Sequence, residues 1–591
     1  MKSKILNNIK LDFKKNLNLA IKYHNRNYHE KAIKFYKKIL KLYPNNYKVL
    51  FNLGTIYTQV NQFYLAKKIF LKLIKLNPKF FCTYYNLGIV FQKLGDYKKA
   101  ITSYKKAISL NKIDFASYNN LGNIYKNTQE FKKAIHFYKK AIKVNPLLSD
   151  VYYNIGIVFQ ELGNHKQAIT SYKKAISLKK NDPTAYNNLG AVFNELGEHK
   201  KAILCFKKSI KIKPNNPNAY NGISIILQIQ GKHGESVKYS KKAMSLRPNS
   251  ILAHRLIANV EITQLKNFKK AIKQSYKSVK VHHRTSNFIN NSISVTRLKH
   301  DVEQAKYLFS NKHKVNGLKK FIKVGHKILK RKKNSLNKNN INKSILLDKN
   351  EIKFLLPYYK ENFIYKPKKI IKKFINPHND WNEIERKYFN DVKQIMYIDN
   401  FLSEEAITEL NKFCLASKVW NREHKNKYLG ATSDRGFIST IHLKIATDLK
   451  KNLPKIFGKH RLQTFWAYKY EPKISKGINI HADSAVVNLN FWITPNKYNL
   501  NKNSGGLRVY DVPAPKNWPF AKYNRNTEDI LKFLKQTKSN YIDIPHRYNR
   551  AVLFNSAYFH QTQEVNFRDV YEGRRINITY LFGDRNFYVP V

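Results

Sequence analysis

Residues 81–112 read FCTYYNLGIVFQKLGDYKKAITSYKKAISLNK, and residues 115–146 repeat the pattern as FASYNNLGNIYKNTQEFKKAIHFYKKAIKVNP. The step is 34 residues, and it extends in both directions. Gly88 recurs as Gly54, Gly122, Gly156 and Gly190, and Ala100 as Ala32, Ala66, Ala134, Ala168 and Ala202. Tyr104 recurs as Tyr36, Phe70, Tyr138, Tyr172 and Phe206. Pro44, Pro78, Pro146, Pro214 and Pro248 hold one further slot, which Lys112 and Lys180 fill elsewhere. A fixed period of this length signals stacked helical hairpins. Gly and Ala mark where the helices of a hairpin approach closely. The aromatic is expected to fill the gap between neighbouring hairpins, and the Pro to end the second helix.

This pattern resembles the tetratricopeptide repeat. Seven repeats span about residues 13–250, and a degraded eighth reaches about 284 as a cap. The resemblance implies an all-α, right-handed superhelical solenoid over residues 1–284 with a concave binding face for a protein or peptide. Asn52, Asn86, Asn120, Asn154 and Asn188 keep the same step, two residues before each packing Gly. In this repeat family the slot faces the groove. An amide there both donates and accepts, so it can pair with an extended peptide backbone of any sequence. The array is similar to the asparagine ladder of the O-linked N-acetylglucosamine transferase superhelix. The bland alternative is that Asn is common here and merely solvates the groove.

Composition bounds the rest. The 591 residues exceed one core, so two or three units are expected. The formal charge is +72, from 110 Lys+Arg against 38 Asp+Glu. Such a field favours acidic partners, whether nucleic acid, anionic membrane or acidic protein. Yet Lys, Asn, Ile and Tyr are abundant even inside the repeats, which fits a compositional bias better. Cys82, Cys205 and Cys414 form no CxxC, so neither a disulfide framework nor a zinc knuckle is expected. No secretory signal and no membrane span are read, and a cytoplasmic location is expected.

Residues 285–394 read as a helical, basic linker. Within it VTRLKHDVEQAKYLF is amphipathic, with Leu298, Val302, Ala305 and Leu308 near one face. The run KILKRKKNSLNKNNINKS, residues 327–344, reads as mobile and solvated. From about residue 395 to 591 the pattern changes to short β-rich runs: NIHADSAVVNLNFWITP, GGLRVYDVP, RAVLFNSAYFH and RRINITYLFG. Strands at such spacing suggest a sandwich, barrel or jelly roll.

His481 and Asp483 are two apart in an extended run, so both project from one face. An imidazole beside a carboxylate is half of a facial metal site, and His560, after RAVLFNS, is the candidate third ligand. In RRINITYLF, Ile576, Ile578, Tyr580 and Phe582 share an apolar face, and Arg575, Asn577 and Thr579 share the other. A guanidinium can fork onto a carboxylate, which makes Arg575 a candidate anion anchor with Thr579 in support.

Residues 395–591 resemble the prolyl-4-hydroxylase-like branch of the Fe(II)/2-oxoglutarate dioxygenases. The likeness rests on YIDNFLSEEAITEL from Tyr397, the His481-Ala482-Asp483 motif, SGGLRVYD, His560 and the Arg strand. It implies a double-stranded β-helix with flanking helices. It also implies His481, Asp483 and His560 as Fe(II) ligands, with Arg575 holding 2-oxoglutarate. O2 is then the second cosubstrate, with room for ascorbate. Tyr470 stands near the position of a cosubstrate-bonding tyrosine, one residue out of register. The segment from Asp511 to Arg547 is longer than a minimal member's, and YNRNTEDILKFLKQ within it reads as helical. Arg574 is a rival anchor on the opposite strand face. His546 and Arg550 read as structural or rim residues. The expected activity is hydroxylation of a protein or peptide side chain, prolyl first. Two alternatives stay open: a dioxygenase of small molecules docked through its repeats, and a repeat scaffold with an inactive jelly roll.

Overall fold

In the computed structural model the chain parts into two compact units, residues 1–214 and 215–591. The structure describes residues 2–285, 292–335, 345–361, 363–367, 370–420, 422–424, 428–474, 477–518 and 520–584.

The first unit is a run of helical hairpins: Lys2–Asn25 with His29–Leu42, Tyr47–Gln59 with Phe63–Leu76, Phe81–Lys93 with Tyr97–Leu110, Phe115–Asn127 with Phe131–Val144, Ser149–Glu161 with His165–Leu178, and Pro183–Glu195 with His199–Ile212. Each hairpin turns through a left-handed residue, Gly95 at φ +80° in the third, where an L side chain is strained. Asp96 then accepts from the Lys99 amide at 3.1 Å and caps the returning helix.

The repeating aromatic reaches the seam between hairpins, where Tyr36, Tyr104 and Tyr172 bond to Asn52, Asn120 and Asn188 of the next one. Its ring lies inside its own hairpin, on the repeating glycine. A Cβ on Gly88 would stand 2.6 Å from the Tyr104 ring, and one on Gly156 2.6 Å from the Tyr172 ring. The glycine is therefore the socket of the aromatic. Tyr104 is 0% exposed, and burying such a ring contributes roughly 1.5–3 kcal/mol.

The second unit begins with the last two hairpins, Pro217–Ile229 with His233–Leu246 and Ile251–Gln264 with Phe268–Thr285. Their small hydroxyls bond directly to the loop after strand Tyr428–Thr432. Ser275 Oγ donates to the Ser433 carbonyl at 2.6 Å and Ser278 Oγ to the Asp434 carbonyl at 2.7 Å. Arg255 pairs with the Asp434 carboxylate. The stretch expected to be a linker contributes Val295–Ser310, Leu318–Ser335, Lys349–Lys360 and Trp381–Asn390. Leu298, Val302, Ala305 and Leu308 are all buried, as their spacing predicted, and they join one core with the sheet. The basic run 327–344 is helical as far as Ser335, because Ile328 is pinned in that core at 1% exposure. Its remainder, 336–344, lies outside the described residues. No described helix is long and apolar enough to cross a membrane.

Ten strands form the two larger sheets: β1 Ile395–Ile398, β2 Arg422–His424, β3 Tyr428–Thr432, β4 Leu462–Tyr470, β5 Val487–Trp492, β6 Leu507–Pro513, β7 Tyr541–Ile544, β8 Ala551–Asn555, β9 Tyr558–Thr562 and β10 Ile576–Phe582. Seven pair antiparallel in the order β1-β8-β5-β10-β4-β3-β2, and three in the order β7-β6-β9. Period two sets the sides. Ile576, Ile578, Tyr580 and Phe582 enter the main core beside Leu489, Phe491 and Phe465. Asn577 and Thr579 point the other way, toward a cleft.

Candidate metal centre

Two strand ends meet at the cleft. His481 and His560 form an isolated antiparallel bridge, each amide donating to the other's carbonyl, at 3.0 and 2.8 Å. Their rings lie with centroids 4.3 Å apart. The Asp483 amide is held by the Ser556 carbonyl at 3.1 Å, which brings its carboxylate alongside. Asp483 Oδ2 is 3.5 Å from His560 Nε2, and Oδ1 is 3.9 Å from His481 Nε2. One ligand atom from each of the three side chains falls within 4.8 Å of the others. Ligands about 2.1 Å from one cation and at right angles stand about 3 Å apart, so a small contraction suffices.

The tautomers suit a cation. His481 Nδ1 faces the Asn479 carbonyl at 2.8 Å and His560 Nδ1 the Tyr558 carbonyl at 3.0 Å. A carbonyl only accepts, so each ring carries its proton on Nδ1 and turns the Nε2 lone pair inward. Burial, followed by the neighbouring His560, pushes His481 down to about 4. Burial raises the Asp483 carboxyl, but the close His560 and His481 rings and the amide donated by Asn488 outweigh it and hold the group below its usual value. His481 is then a neutral imidazole and Asp483 a carboxylate.

The cleft measures about 490 Å³, and Arg575, Asn577 and Thr579 share its lining with the three ligands. Arg575 is 1% exposed. Its guanidinium donates to the carbonyls of Gly505 and Gly506, the latter at 3.2 Å, and lies 4.7 Å over the Tyr470 ring. A Cβ on Gly506 would collide with the Ile544 carbonyl, so the SGGLRVYD glycines are what lets this backbone pass. Among the described residues, none of the recorded hydrogen bonds or ion pairs of Arg575 is with a carboxylate. A buried cation without a counter-ion calls for an anionic ligand. Arg574, the rival, is committed elsewhere, to Glu303 at 2.6 Å and Glu471 at 2.9 Å.

Thr579 lines the cleft, but its hydroxyl already donates to Asn490 Oδ1 at 2.5 Å. Tyr470 is fully buried beneath Arg575, its hydroxyl 3.3 Å from Thr562 Oγ1, while Tyr468 is the tyrosine of that strand that lines the cleft. Arg550 forks onto Asp399 at 2.6 and 2.9 Å, and His546 packs between Trp492 and Phe567, so both are structural. The helical insertion forms Phe520–Arg525 and Thr527–Gln536. It clamps the middle residue of the motif, the Tyr523 carbonyl accepting from the Ala482 amide at 3.0 Å and Asn524 donating to the Ala482 carbonyl at 2.9 Å.

Sequence reasoning missed Asn488 and Asn490. The signal was present in β5, VNLNFW, where two alternate residues of an otherwise apolar strand are amides. It also missed the aromatic wall of Tyr428, Trp466 and Tyr468.

In the first unit the five repeating asparagines are all half-buried on the first helix of their hairpins. All five have side-chain bonds, Asn52 with Tyr36 and Asn120 with Tyr85 and Tyr104 of the preceding hairpin. Asn86 donates to the Cys82 carbonyl of its own helix at 2.9 Å, Asn154 accepts from Lys126 at 3.0 Å, and Asn188 donates to the Tyr153 hydroxyl at 3.0 Å. The last two bonds tie one repeat to the next.

Tetratricopeptide-repeat models match residues 16–46, 35–68, 81–112, 115–146, 137–170, 159–197, 183–216 and 217–250. The chain carries tetratricopeptide repeats. No curated protein sequence matches the chain. Solved structures similar to it include the MamA protein, at 28% identity over 29% of this chain and 92% of that one, TM-score 0.27. YrrB, described as a TPR protein with an unusual peptide-binding site, is 23% identical over 31% and 95%, TM-score 0.28. A tetratricopeptide repeat protein from Parabacteroides merdae is 19% identical over 42% and 98%, TM-score 0.35.

Proposed function

We propose that the chain is an Fe(II)- and 2-oxoglutarate-dependent dioxygenase that hydroxylates a side chain of a protein or peptide bound by its repeats, with a prolyl residue the first to test. In this reading the seven- and three-stranded sheets are the two faces of a double-stranded β-helix. The observation that carries the proposal is the convergence of His481, Asp483 and His560 in one cleft with a buried guanidinium that has no carboxylate partner among the described residues.

The donor set fits the metal. Two imidazoles with inward Nε2 lone pairs and one carboxylate leave part of a coordination sphere open for cosubstrates, as non-haem Fe(II) sites require. Bound iron with 2-oxoglutarate and O2 would supply the oxidising power for C–H hydroxylation. The chain's own residues bind and orient. His481 and His560 keep their Nδ1 protons on backbone carbonyls, which fixes both ring planes. Arg575 receives the distal carboxylate of 2-oxoglutarate, a bidentate match for its fork. The insertion, anchored to Ala482, walls the cleft and limits water.

The test is anaerobic binding of Fe(II) and 2-oxoglutarate, then admission of O2 with candidate peptides. The expected result is iron-dependent succinate, absent in His481→Ala, and a peptide heavier by one oxygen atom. Succinate formation that is independent of iron, or equal in His481→Ala, would overturn the reading.

A further inference from the structure

Behind the cleft a row of hydrogen bonds runs from Arg575 to Asp483. Arg575 Nη1 donates to Asn577 Oδ1 at 3.3 Å, and Asn577 Nδ2 donates to Asn490 Oδ1 at 3.4 Å. Asn490 Nδ2 then donates to Asn488 Oδ1 at 2.6 Å, and Asn488 Nδ2 to Asp483 Oδ2 at 2.7 Å. Asn488 is 0% exposed, Asn490 5% and Asn577 6%. The direction of the row is forced. A guanidinium only donates and a carboxylate only accepts, so every amide between them must accept on the anchor side and donate on the metal side.

Three buried amides are a costly way to fill a sheet face, since each left unsatisfied costs about 1–3 kcal/mol. The neighbouring residues on the opposite face of β5, Leu489 and Phe491, are ordinary core. The amides lie only on the face between the two charged groups. There they do what apolar residues of the same shape cannot: they fix the rotation of the Asp483 carboxylate, holding Oδ2 so that Oδ1 turns toward His481.

We infer that Asn488, Asn490 and Asn577 are positioning residues, a polarised relay that orients the Asp483 carboxylate for a divalent cation and is itself anchored by Arg575. This rests on the metal reading above. Aligned amides polarise one another in a low-dielectric interior, so a cut anywhere along the row reaches Asp483, with the effect falling with distance from it.

The experiment titrates Co(II), a spectroscopic stand-in for Fe(II), into the full chain without any organic anion. Absorption reports binding, and circular dichroism melting reports folding. Asn488→Leu is expected to weaken Co(II) about 10–100-fold, the usual effect of losing a residue that orients a metal ligand. Asn490→Leu should weaken it less. Arg575→Gln should weaken it several-fold although no anion is present, which a purely anion-binding role would not do. Asn488→Ala removes the donor without adding bulk or charge, so it decides the matter should the leucine variant fail to fold. Wild-type binding with folded Asn488 variants within twofold of it sinks the relay alone. A wild-type chain that takes up no Co(II) sinks both the relay and the metal reading.

Discussion

His481 and His560 exchange both backbone hydrogen bonds, at 3.0 and 2.8 Å, so the ligand pair is joined by main chain before any cation arrives. The pairing sets the two rings on the same side at 4.3 Å between centroids. Truncating either ring leaves these bonds in place. His560→Ala is therefore expected to fold with a melting temperature close to wild type while succinate formation falls below detection. Loss of the fold together with activity would show that the ring, and not the bridge, organises this corner.

Adjacent arginines should separate cleanly. Arg575→Gln removes charge-assisted bonds worth about 1.5–3 kcal/mol to an anion, so the KM for 2-oxoglutarate should rise roughly 10–100-fold. Arg574→Gln leaves Glu303 and Glu471, among the described residues, with only the more distant Lys299, at 3.9 and 3.8 Å. It should cost stability, though less than the roughly 3–5 kcal/mol of a buried pair left wholly uncompensated, and leave that KM unchanged in the folded fraction. Urea unfolding and steady-state kinetics on both variants check the assignment, and interchanged phenotypes would reverse it.

Much of this arrangement was legible in the sequence because two periodicities are strong. The 34-residue step exposes the repeats, and period two in RRINITYLF separates the core face from the cleft face. Arg575 and Arg574 were told apart by that parity. What parity does not carry is depth. Tyr470 and Tyr468 share a face of β4, yet one is sealed beneath a guanidinium and the other lines the cleft, because the Tyr470 amide donates to the Arg575 carbonyl at 3.0 Å just before β10 whereas Tyr468 pairs with Asn577. Asn488 and Asn490 were equally hidden. A polar residue in a strand normally faces solvent, and only the three-dimensional fold shows these two on the cleft face of a central strand, with Asn490 paired beside Thr579 of β10. The basic run near 327 misled for a related reason. Long lysine stems flank a thin apolar stripe, Phe321 and Ile328, which is enough to dock a helix.

Within the repeats the glycine sockets predict a local defect. Gly88→Ala places a methyl 2.6 Å from Tyr104 Cε1, so helix or ring must shift, at a cost of about 1–3 kcal/mol. Trimming the ring should return part of that loss, so Gly88→Ala with Tyr104→Leu should melt closer to Tyr104→Leu alone than additivity allows. Strict additivity in thermal melts would mean the two positions do not meet.

The repeating asparagines divide by what they already bind. Asn86 bonds only its own helix among the recorded contacts, so Asn86→Ala should reduce capture of an extended peptide with little effect on melting. Asn188→Ala also removes the bond to Tyr153 and should cost about 1 kcal/mol. Peptide capture unchanged when Asn86, Asn120 and Asn154 are replaced together would dismiss the groove-facing role.

Acid should weaken the second unit through His442. The ring is 0% exposed and stacks on Phe465 at 5.2 Å. Its Nδ1 accepts from the Ser439 amide at 3.1 Å and lies 2.8 Å from the Ser439 hydroxyl, so protonating Nδ1 would forfeit the cap of helix Thr440–Asn452. Burial pushes the group down to about 3 from 6.5. The unfolded chain then binds the proton more tightly, and stability is full above pH 6.5 and declines as pH falls toward 3, by about 1.4 kcal/mol per pH unit. Between pH 7 and pH 5 this group alone should remove about 2 kcal/mol. His442→Phe keeps the stack but lacks the titrating nitrogen. It should start about 1 kcal/mol less stable at neutral pH, from the lost cap, and then lose less than wild type on acidification. Urea midpoints at the two pH values measure the difference. Equal losses in the two proteins would place the acid sensitivity elsewhere, with His300 as the next group to replace, since burial also pushes it down to about 3.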